Sequence, residues 1–492
     1  MKRLKPLMIG GAGSDVGKSL LVAGLCRILR QDGYNPAPFK AQNMALNSYV
    51  TPDGLELGRA QAVQAEAAGI ECMAEMNPIL LKPTEDCVAQ VIINGIPIGN
   101  RSAKSYFNSV GRKQFEHEAH SAFDRLSALY NPIVLEGAGS IAEINLMDLD
   151  IVNMPMARYA DANVILVVDI ARGGVFASAY GSIMLQKPDD RKRIKGIIVN
   201  QFRGDISLFE KGRKQLEEIC GVPVVGVMPF IRDLHIEEED SCSYKNKAIS
   251  DDSGKINIAV VRLPHISNFT DFDPLECDPR VNVLYTLDPE IIAQSDIIIL
   301  PGSKSTSADL LELYRNGVAE AIVKAHKDGK TMIGICGGYQ MMGRTVIDPE
   351  GVEGNSHHIG GLGLLPTTTV MASEKLTRRV SFKFRDSDEP CKGYEIHNGR
   401  TEIDPGYKSV ALIDGIRKDG CMVNDRCWGT YIHGLFENKC VVDSMLHPFV
   451  GNLTDKDFDY RAFKESQYDR LADEMRKNLD IDLIYKIMMS ND

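Results

Sequence analysis

A cysteine on a glycine-rich turn is the first candidate for chemistry in this sequence. Cys336 follows the apolar run Met332–Ile335 and precedes Gly337 and Gly338. An apolar run that ends in a nucleophile and two glycines predicts a buried parallel strand, a tight turn and then a helix. Because such a turn lifts the thiol out of the sheet, Cys336 is positioned to attack a carbonyl carbon.

The attack by Cys336 requires N–H groups that stabilise the oxyanion of the tetrahedral intermediate. One candidate donor is the amide of Gly337, directly after the cysteine. Another comes from the turn at Gly302 and Ser303, which follows an apolar strand about thirty residues earlier. We therefore expect Gly302 and Gly337 to form an oxyanion site.

A nucleophilic thiol also needs a base, and two of the ten histidines stand in a suitable context. His433 follows the strand-like residues Tyr431-Ile432 and precedes a glycine, and His397 has a similar setting. A histidine between an apolar strand and a tight turn is typical of the base in cysteine hydrolases. The pattern favours His433 over His397.

A second kind of chemistry is indicated near residue 10, where a short apolar strand runs into a glycine-rich loop and then an apolar helix. This order is typical of a phosphate-binding loop, in which backbone N–H groups and a lysine hold phosphates. Five residues separate the loop glycines, one more than in the common pattern. The predicted ATP contacts in this loop are Gly11, Ser14, Asp15, Gly17, Lys18 and Ser19.

Three further strands of the same half end in polar side chains, namely Lys40, Glu136 and Asn200. Because the carboxyl ends of parallel strands open on one crevice, we expect all three near the phosphates. Lys40 would add positive charge, and the Asn200 amide would contact adenine. Glu136 and the Ser19 hydroxyl are oxygen ligands of the kind Mg²⁺ prefers, so they form the predicted metal site.

The bulk composition restricts the class of protein. The chain has 492 residues, 44% of them hydrophobic and 25% charged, which is ordinary for a globular protein of more than one domain. Its formal charge of −11 argues against a sequence-independent nucleic-acid binder. Eleven cysteines without a CxxC pair, and no long apolar run, lead us to expect a cytoplasmic protein with reduced thiols and no membrane partner.

The two kinds of motif divide the chain into two predicted domains. Residues 1–233 carry the phosphate loop and its strands, residues 234–255 form a polar, acidic linker, and residues 256–492 carry the cysteine turn and a C-terminal helical tail. Both domains are expected to be of the α/β class, the first of them a doubly wound sheet.

These motifs resemble two known folds. The Gly-Ile-Cys-Gly-Gly-Tyr-Gln and Tyr-Ile-His-Gly blocks are similar to the nucleophile and base of class I glutamine amidotransferase domains. Many of those carry a glutamate two residues after the histidine, where this chain has Leu435, and the next acid is Glu437, so a Cys336–His433 dyad is the prediction. The first half resembles the P-loop, dethiobiotin synthetase-like ATPases, which use ATP to activate a carboxylate.

Taken together, the two halves resemble the cobyric acid synthase family. Six further blocks carry this resemblance: Ala41–Ser48, Ala142–Leu146, Arg172–Phe176, Asn200–Asp205, Ile266–Asp271 and Gly393–His397. The resemblance implies an amidoligase that converts peripheral carboxylates of a corrinoid, adenosylcobyrinic acid a,c-diamide, to amides. ATP with Mg²⁺ would activate each carboxylate, and glutamine would supply ammonia.

The resemblance also fixes expectations about partners. We expect a corrinoid substrate, no bound prosthetic group, no nucleic acid and a possible homo-oligomer. The polyanionic substrate would be held by Arg59, Lys82, Arg172 or Arg203. Two alternatives stay open at this point: a cobyrinic acid a,c-diamide synthase, and a partitioning-type ATPase whose second domain is silent.

Overall fold

The computed structural model describes residues 2–85, 88–102, 109–237, 249, 255–353, 358–452 and 457–490. The chain forms two compact units. The first unit comprises Met1–Ala45, Leu55–Glu239 and Lys464–Asp492, and the second comprises Leu46–Gly54 and Asp240–Phe463.

The strands, in chain order, are β1 Leu7–Gly11, β2 Ala37–Phe39, β3 Gln42–Met44, β4 Ser48–Val50, β5 Glu56–Gly58, β6 Ile79–Glu85, β7 Val88–Ile93, β8 Ile96–Ser102, β9 Ile133–Glu136, β10 Asn163–Asp169, β11 Ile194–Phe202, β12 Val224–Pro229, β13 Ile256–Val261, β14 Val281–Thr286, β15 Ile297–Leu300, β16 Thr331–Ile335, β17 Thr345–Ile347, β18 His358–Gly360, β19 Thr367–Phe384, β20 Pro390–Ile403, β21 Ala411–Ile413, β22 Arg417–Asp419, β23 Cys421–Asn424 and β24 Cys427–Thr430.

The helices are α1 Lys18–Gln31, α2 Arg59–Ala68, α3 Ser109–Leu129, α4 Met154–Tyr159, α5 Val175–Met184, α6 Pro188–Arg191, α7 Glu210–Cys220, α8 Asp273–Cys277, α9 Pro289–Gln294, α10 Thr306–Arg315, α11 Val318–Lys327, α12 Gly337–Met342, α13 Lys439–Leu446, α14 Tyr460–Asn478 and α15 Ile481–Met489. Short 3-10 turns span Ala74–Met76, Ile206–Phe209, Phe269–Phe272, Leu435–Glu437 and His447–Asn452.

The first unit is built on a parallel sheet with the strand order β12-β11-β10-β1-β9-β2. Its strands are apolar and almost wholly buried, as expected when helices cover both faces. The carboxyl ends of β1, β9, β10 and β11 meet at one edge, which brings together the loop after Gly11, Glu136 and Asn200. A smaller sheet, β3-β6-β7-β8, completes this unit.

Helices from the C-terminus complete the core of the first unit. Tyr468, Leu471 and Met475 of α14 are buried in the same hydrophobic cluster as α1. A Cβ atom on Gly24 of α1 would lie 2.1 Å from the Met475 sulfur, so α1 carries a glycine where the two helices approach. These residues belong to the first unit although they lie at the far end of the chain.

The second unit contains another mostly parallel sheet, ordered β14-β13-β15-β16-β24-β23, in which only the pair β23 and β24 is antiparallel among the described strands. A second sheet, β18-β17-β19-β21-β22, carries the long strand β20 paired antiparallel to β19. The first sheet positions the cysteine turn at the end of β16, and β20 passes next to it.

The predicted α/β folds of both halves are confirmed, but the structure divides the chain differently from the predicted boundaries. Residues 464–492 were expected to be a tail of the second domain, and they pack in the first unit because their apolar side chains fill its core. Residues 46–54 belong to the second unit. Most of the predicted linker at 234–255 lies outside the described residues. Within those described, no helix is long and apolar enough to span a bilayer.

Candidate active sites

The cysteine turn has the strained geometry that the sequence predicts. Cys336 lies between β16 and α12 with φ 50° and ψ −106°, a conformation that L-residues rarely adopt. A Cβ atom on Gly338 would lie 2.0 Å from the carbonyl oxygen of Leu300, so glycine is required directly after the turn. The Cys336 thiol approaches the carbonyl oxygen of Ile396, at 3.6 Å.

A buried histidine lies next to the thiol, and a carboxylate lies next to that histidine. His433 lies close enough to Cys336 for the two side chains to interact electrostatically, and its Nδ1 lies 2.6 Å from Oδ2 of Asp271. The other carboxylate oxygen, Oδ1, accepts a hydrogen bond of 2.9 Å from the Gly434 amide. The three side chains are thus arranged as nucleophile, base and orienting acid.

The charged side chains around His433 favour a protonated imidazole. Burial alone would lower the pKa of His433, but the negative charges of Asp271 and Cys336, and the hydrogen bond to Asp271, raise it to about 10. A protonated imidazole beside the nucleophile can act as a proton donor. The geometry therefore suits nucleophilic attack followed by proton donation from His433 to a leaving group.

The predicted oxyanion glycines lie together at this turn. A Cβ atom on Gly302 would lie 3.2 Å from His433 Cε1, and one on Gly337 would lie 2.7 Å from the amide nitrogen of Ser303. The Ser267 amide donates to the Gly302 carbonyl oxygen at 2.9 Å. In a trans peptide the N–H points opposite to the C=O, so the N–H between Gly302 and Ser303 is turned away from Ser267.

The orienting residue was missed from the sequence. The residue two positions after the histidine, Leu435, is buried and apolar, and the sequence offered Glu437 as the next acid. Asp271 lies 162 residues before His433, so no local pattern connects the two. The competing histidine, His397, has Nδ1 2.9 Å from the Gly399 carbonyl oxygen and its ring stacked on Tyr431.

In the first unit, the phosphate loop is closed around its lysine. The Lys18 ammonium donates to the carbonyl oxygens of Gly13 (2.9 Å) and Gly139 (3.0 Å). Burial lowers the pKa of Lys18, and the nearby charge of Glu136 partly opposes that shift. Lys18 also occupies the first position of α1, so its ammonium lies beside the helix N-terminus that would receive phosphate.

Glu136 accepts hydrogen bonds from three side chains of this site. Its Oε1 accepts hydrogen bonds from the Ser19 hydroxyl (2.8 Å) and the Lys40 ammonium (2.9 Å), and its Oε2 accepts one from Gln64 (2.5 Å). Burial would raise the pKa of Glu136, but the Lys40 charge and these hydrogen bonds outweigh it, so the pKa lies below its ordinary value. Gln64 lies on α2, and its spacing in the sequence fits an exposed helix face at least as well as a face that contacts a ligand.

The remaining loop residues have distinct positions. Ser14 and Asp15 are exposed at the loop tip. The side chain of Asn200 donates to the Val16 carbonyl oxygen at 2.8 Å, and a Cβ atom on Gly17, at φ 91°, would lie 2.2 Å from its nitrogen. In this structure Asn200 therefore holds the loop, and its predicted contact with adenine stays a prediction.

The four cations proposed for the substrate separate into two pairs. Arg59 and Lys82 are buried and form ion pairs with Glu237 and Glu56. By contrast, the side chain of Arg172 is 66% exposed, and Arg203 is exposed with its guanidinium over the Phe230 ring. Arg172 and Arg203 are the more accessible to a polyanion from solution, although Arg172 also pairs with Asp15 and Asp169, whereas Arg59 and Lys82 neutralise buried carboxylates.

The donor set around Glu136 fits the predicted Mg²⁺ ion. The Ser19 hydroxyl and the Glu136 carboxylate converge to 2.8 Å, and both are hard oxygen ligands. Mg²⁺ in nucleotide sites takes few protein ligands and completes its shell with phosphate oxygens and water. Among the described residues no cluster of three or more His, Cys, Asp or Glu side chains is suited to a metal.

Comparison with known proteins agrees with this division of chemistry. Residues 7–241 match the family model of the CobQ/CobB/MinD/ParA nucleotide binding domain, and residues 257–441 match that of the CobB/CobQ-like glutamine amidotransferase domain. The fold and these matches define an amidoligase enzyme that joins a nucleotide-binding domain to a glutamine amidotransferase domain.

Full-length relatives identify the family. The chain is 59% identical to the cobyric acid synthase of Phocaeicola vulgatus, with 100% of both chains covered. It is 55% identical to that of Parabacteroides distasonis, over 98% of this chain and 99% of the relative, and 47% identical to that of Syntrophobacter fumaroxidans, over 99% of each. The chain belongs to the cobyric acid synthase family.

Proposed function

We propose that this enzyme amidates the b, d, e and g carboxylates of adenosylcobyrinic acid a,c-diamide to give adenosylcobyric acid. Each amide consumes an ATP and a glutamine. The observation that carries the proposal is that one chain holds both a Cys336–His433–Asp271 arrangement and a phosphate loop whose Ser19 and Lys40 converge on Glu136. The first arrangement suits release of ammonia, and the second suits activation of a carboxylate.

Glutamine hydrolysis follows from the geometry of the second unit. The Cys336 thiolate attacks the side-chain amide carbon of glutamine, and the negative charge that develops on oxygen is stabilised by the amides of Gly337 and the Gly302-Ser303 turn. His433, protonated and held by Asp271, donates its proton to the departing nitrogen, which leaves as ammonia. Water then cleaves the thioester, with His433 as the base, and glutamate is released.

Carboxylate activation takes place in the first unit. A carboxylate oxygen of the corrinoid attacks the γ-phosphorus of ATP, the bond to the bridging oxygen breaks, and an acyl phosphate and ADP form. Lys18 and Lys40 stabilise the negative charge on the transferring group. Ammonia then attacks the acyl carbon and phosphate leaves with the electron pair of the C–O bond. When bound at Ser19 and Glu136, Mg²⁺ would neutralise phosphate charge.

The test separates the two chemistries. In the Cys336→Ala variant we expect glutamine-dependent amidation to fall at least about 10³-fold, because the nucleophile is gone, while amidation with ammonium chloride continues. Cys440→Ala, at a half-buried cysteine of the same unit, is the matched control and should keep both activities. Equal loss of both activities in a folded Cys336→Ala protein would contradict the division of labour.

Mass spectrometry of the product identifies the substrate. Four amides added to the a,c-diamide support the proposal. Amides added to cobyrinic acid at positions a and c would instead identify an a,c-diamide synthase, and ATP hydrolysis without any glutaminase activity would favour the partitioning-type ATPase.

A further inference from the structure

A short segment of the N-terminal half is built into the amidotransferase unit. Residues Leu46–Gly54 belong to the second unit, whereas Ala45 and Leu55 on either side of them in sequence belong to the first. Asn47, Ser48 and Val50 are almost completely inaccessible to solvent. Polar side chains buried in this way need specific partners, and the contacts of this segment lie next to the catalytic histidine.

One set of contacts supports the turn that carries Asp271. The Phe269 amide donates to Oδ1 of Asn47 at 3.2 Å, and the Ser48 amide donates to Oδ1 of Asn268 at 3.5 Å. Asn268 has a left-handed conformation, with φ 51°, and precedes the 3-10 turn Phe269–Phe272. The segment therefore holds both the entry and the first residue of the turn from which Asp271 reaches His433.

Another set of contacts supports the imidazole ring itself. The Tyr49 ring packs edge-on against the Tyr394 ring, with centroids 5.0 Å apart, and Tyr394 stacks on His433 at 5.4 Å with an interplanar angle of 19°. Arg379 fixes the segment by donating to the Val50 carbonyl oxygen at 2.7 Å, with its guanidinium over the Tyr49 ring. Tyr49 thus limits where the Tyr394 ring can lie, and Tyr394 limits where the imidazole can lie.

We propose that Asn47 and Tyr49 are positioning residues for glutamine hydrolysis, supplied to the glutaminase site by the half of the chain that binds nucleotide. This inference rests on the proposed function. Neither residue touches glutamine in the mechanism above. They act by holding Asp271 and His433 in line with Cys336, and a small displacement of a catalytic group is costly because attack and proton transfer both depend on orientation.

Steady-state glutaminase kinetics test the assignment. In Tyr49→Ala and Asn47→Ala we expect kcat for glutamine hydrolysis to fall about 10- to 100-fold, as for other residues that orient catalytic side chains, with little change in KM. Tyr49→Phe keeps the ring and should restore kcat. Amidation with ammonium chloride should continue in all three variants, because it does not use His433.

The control is Tyr407→Ala, at a tyrosine of the same unit that is 46% exposed, which should leave glutaminase kinetics unchanged. A parent enzyme without glutaminase activity would overturn the proposed function and this inference with it. An active parent whose Tyr49→Ala and Asn47→Ala variants keep full kcat would overturn this inference alone. Parallel loss of ammonia-dependent amidation and of thermal stability would also overturn it, since that pattern indicates a structural role only.

Discussion

Among the single residues of the cysteine site, Asp271 contacts both the base and the backbone next to it. Its carboxylate accepts from the imidazole and from the Gly434 amide, so it fixes both the ring and the loop that carries the ring. Burial lowers the pKa of His433, and the negative charge of Asp271 is the largest of the effects that raise it. Orientation and protonation of the base therefore depend on the same side chain.

We predict that Asp271→Asn lowers kcat for glutamine hydrolysis by about 10² to 10⁴-fold, because the asparagine keeps the shape but loses the charge. Ammonia-dependent amidation should be retained. Glu437→Gln is the matched control, since Glu437 is the nearest acid after His433 in sequence, and it should have nearly normal activity. If Glu437→Gln were the more damaging change, Asp271 would not be the orienting acid.

The same substitution changes how stability depends on pH. The folded-state pKa of His433, about 10, lies above its ordinary value of 6.5, so protonated His433 stabilises the fold fully below pH 6.5 and this contribution is lost as pH rises through about 10. We expect the difference in melting temperature between parent and Asp271→Asn to be largest near about pH 6 and to shrink toward about pH 10. A pH-independent difference would contradict the charge pairing.

A single site residue can be predicted from the sequence when its neighbours form a recognisable pattern. Cys336, Lys18 and Ser19 are flanked by the strand, glycines and helix that their chemistry requires, so the turn and the loop were predictable. Asp271 and Gln64 have no such local pattern. Their partners, His433 and Glu136, are 162 and 72 residues away, and only the folded chain brings each pair together.

Among the elements, the turn from the phosphate loop into α1 requires a glycine. Gly17 has φ 91° and leaves no room for a side chain beside Asn200. We predict that Gly17→Ala raises the KM for ATP about tenfold or more, because left-handed strain of about 1–2 kcal/mol is added to the displacement of Asn200. Glutaminase activity should stay unchanged, and ATP-dependent amidation measures the effect.

Gly181→Ala in α5 provides the comparison for that substitution. A Cβ atom there would meet nothing within 4 Å, and alanine is the better helix former by about 1 kcal/mol. We expect normal kinetics and equal or greater thermal stability. Equal damage from both substitutions would mean that the geometry at Gly17 is not what matters.

The central strands and the glycine turns were predictable because each depends on a short apolar run or a local backbone requirement. The alanine-rich residues 56–69 have the spacing of a helix, but Glu56–Gly58 form a strand and the helix begins at Arg59. The sheet that contains β19 and β20 was not predicted. Its strands are only half buried, so their hydrophobic pattern is weak, and their pairing is set by contacts distant in sequence.

At the scale of the molecule, each unit contains residues that sequence order assigns to the other half. The second unit takes Leu46–Gly54, and the first takes Lys464–Asp492. A domain boundary drawn from motifs and a polar linker places both segments wrongly, because neither carries a motif of the unit in which it packs.

We predict that Leu471→Ala lowers the free energy of unfolding of the first unit by about 2–5 kcal/mol, since Leu471 is fully buried in its core. ATP-dependent amidation should be lost at a lower temperature than in the parent, while glutaminase activity survives heating as before. Lys477→Ala, on the same helix with its side chain 73% exposed, should behave as the parent. Loss of glutaminase activity first would contradict this assignment of α14.

The return of the C-terminal helices to the first core has a consequence for how the protein is made. More than 400 residues separate α1 from residues 464–492, so at about 5–20 residues per second the later segment is synthesised roughly 20–90 s after α1. Throughout that time the side of α1 that packs against Leu471 and Met475 lacks these two contacts. The nascent first unit is therefore expected to expose this apolar surface until residues 464–492 have been synthesised, and chains that lack these residues are expected to be less stable.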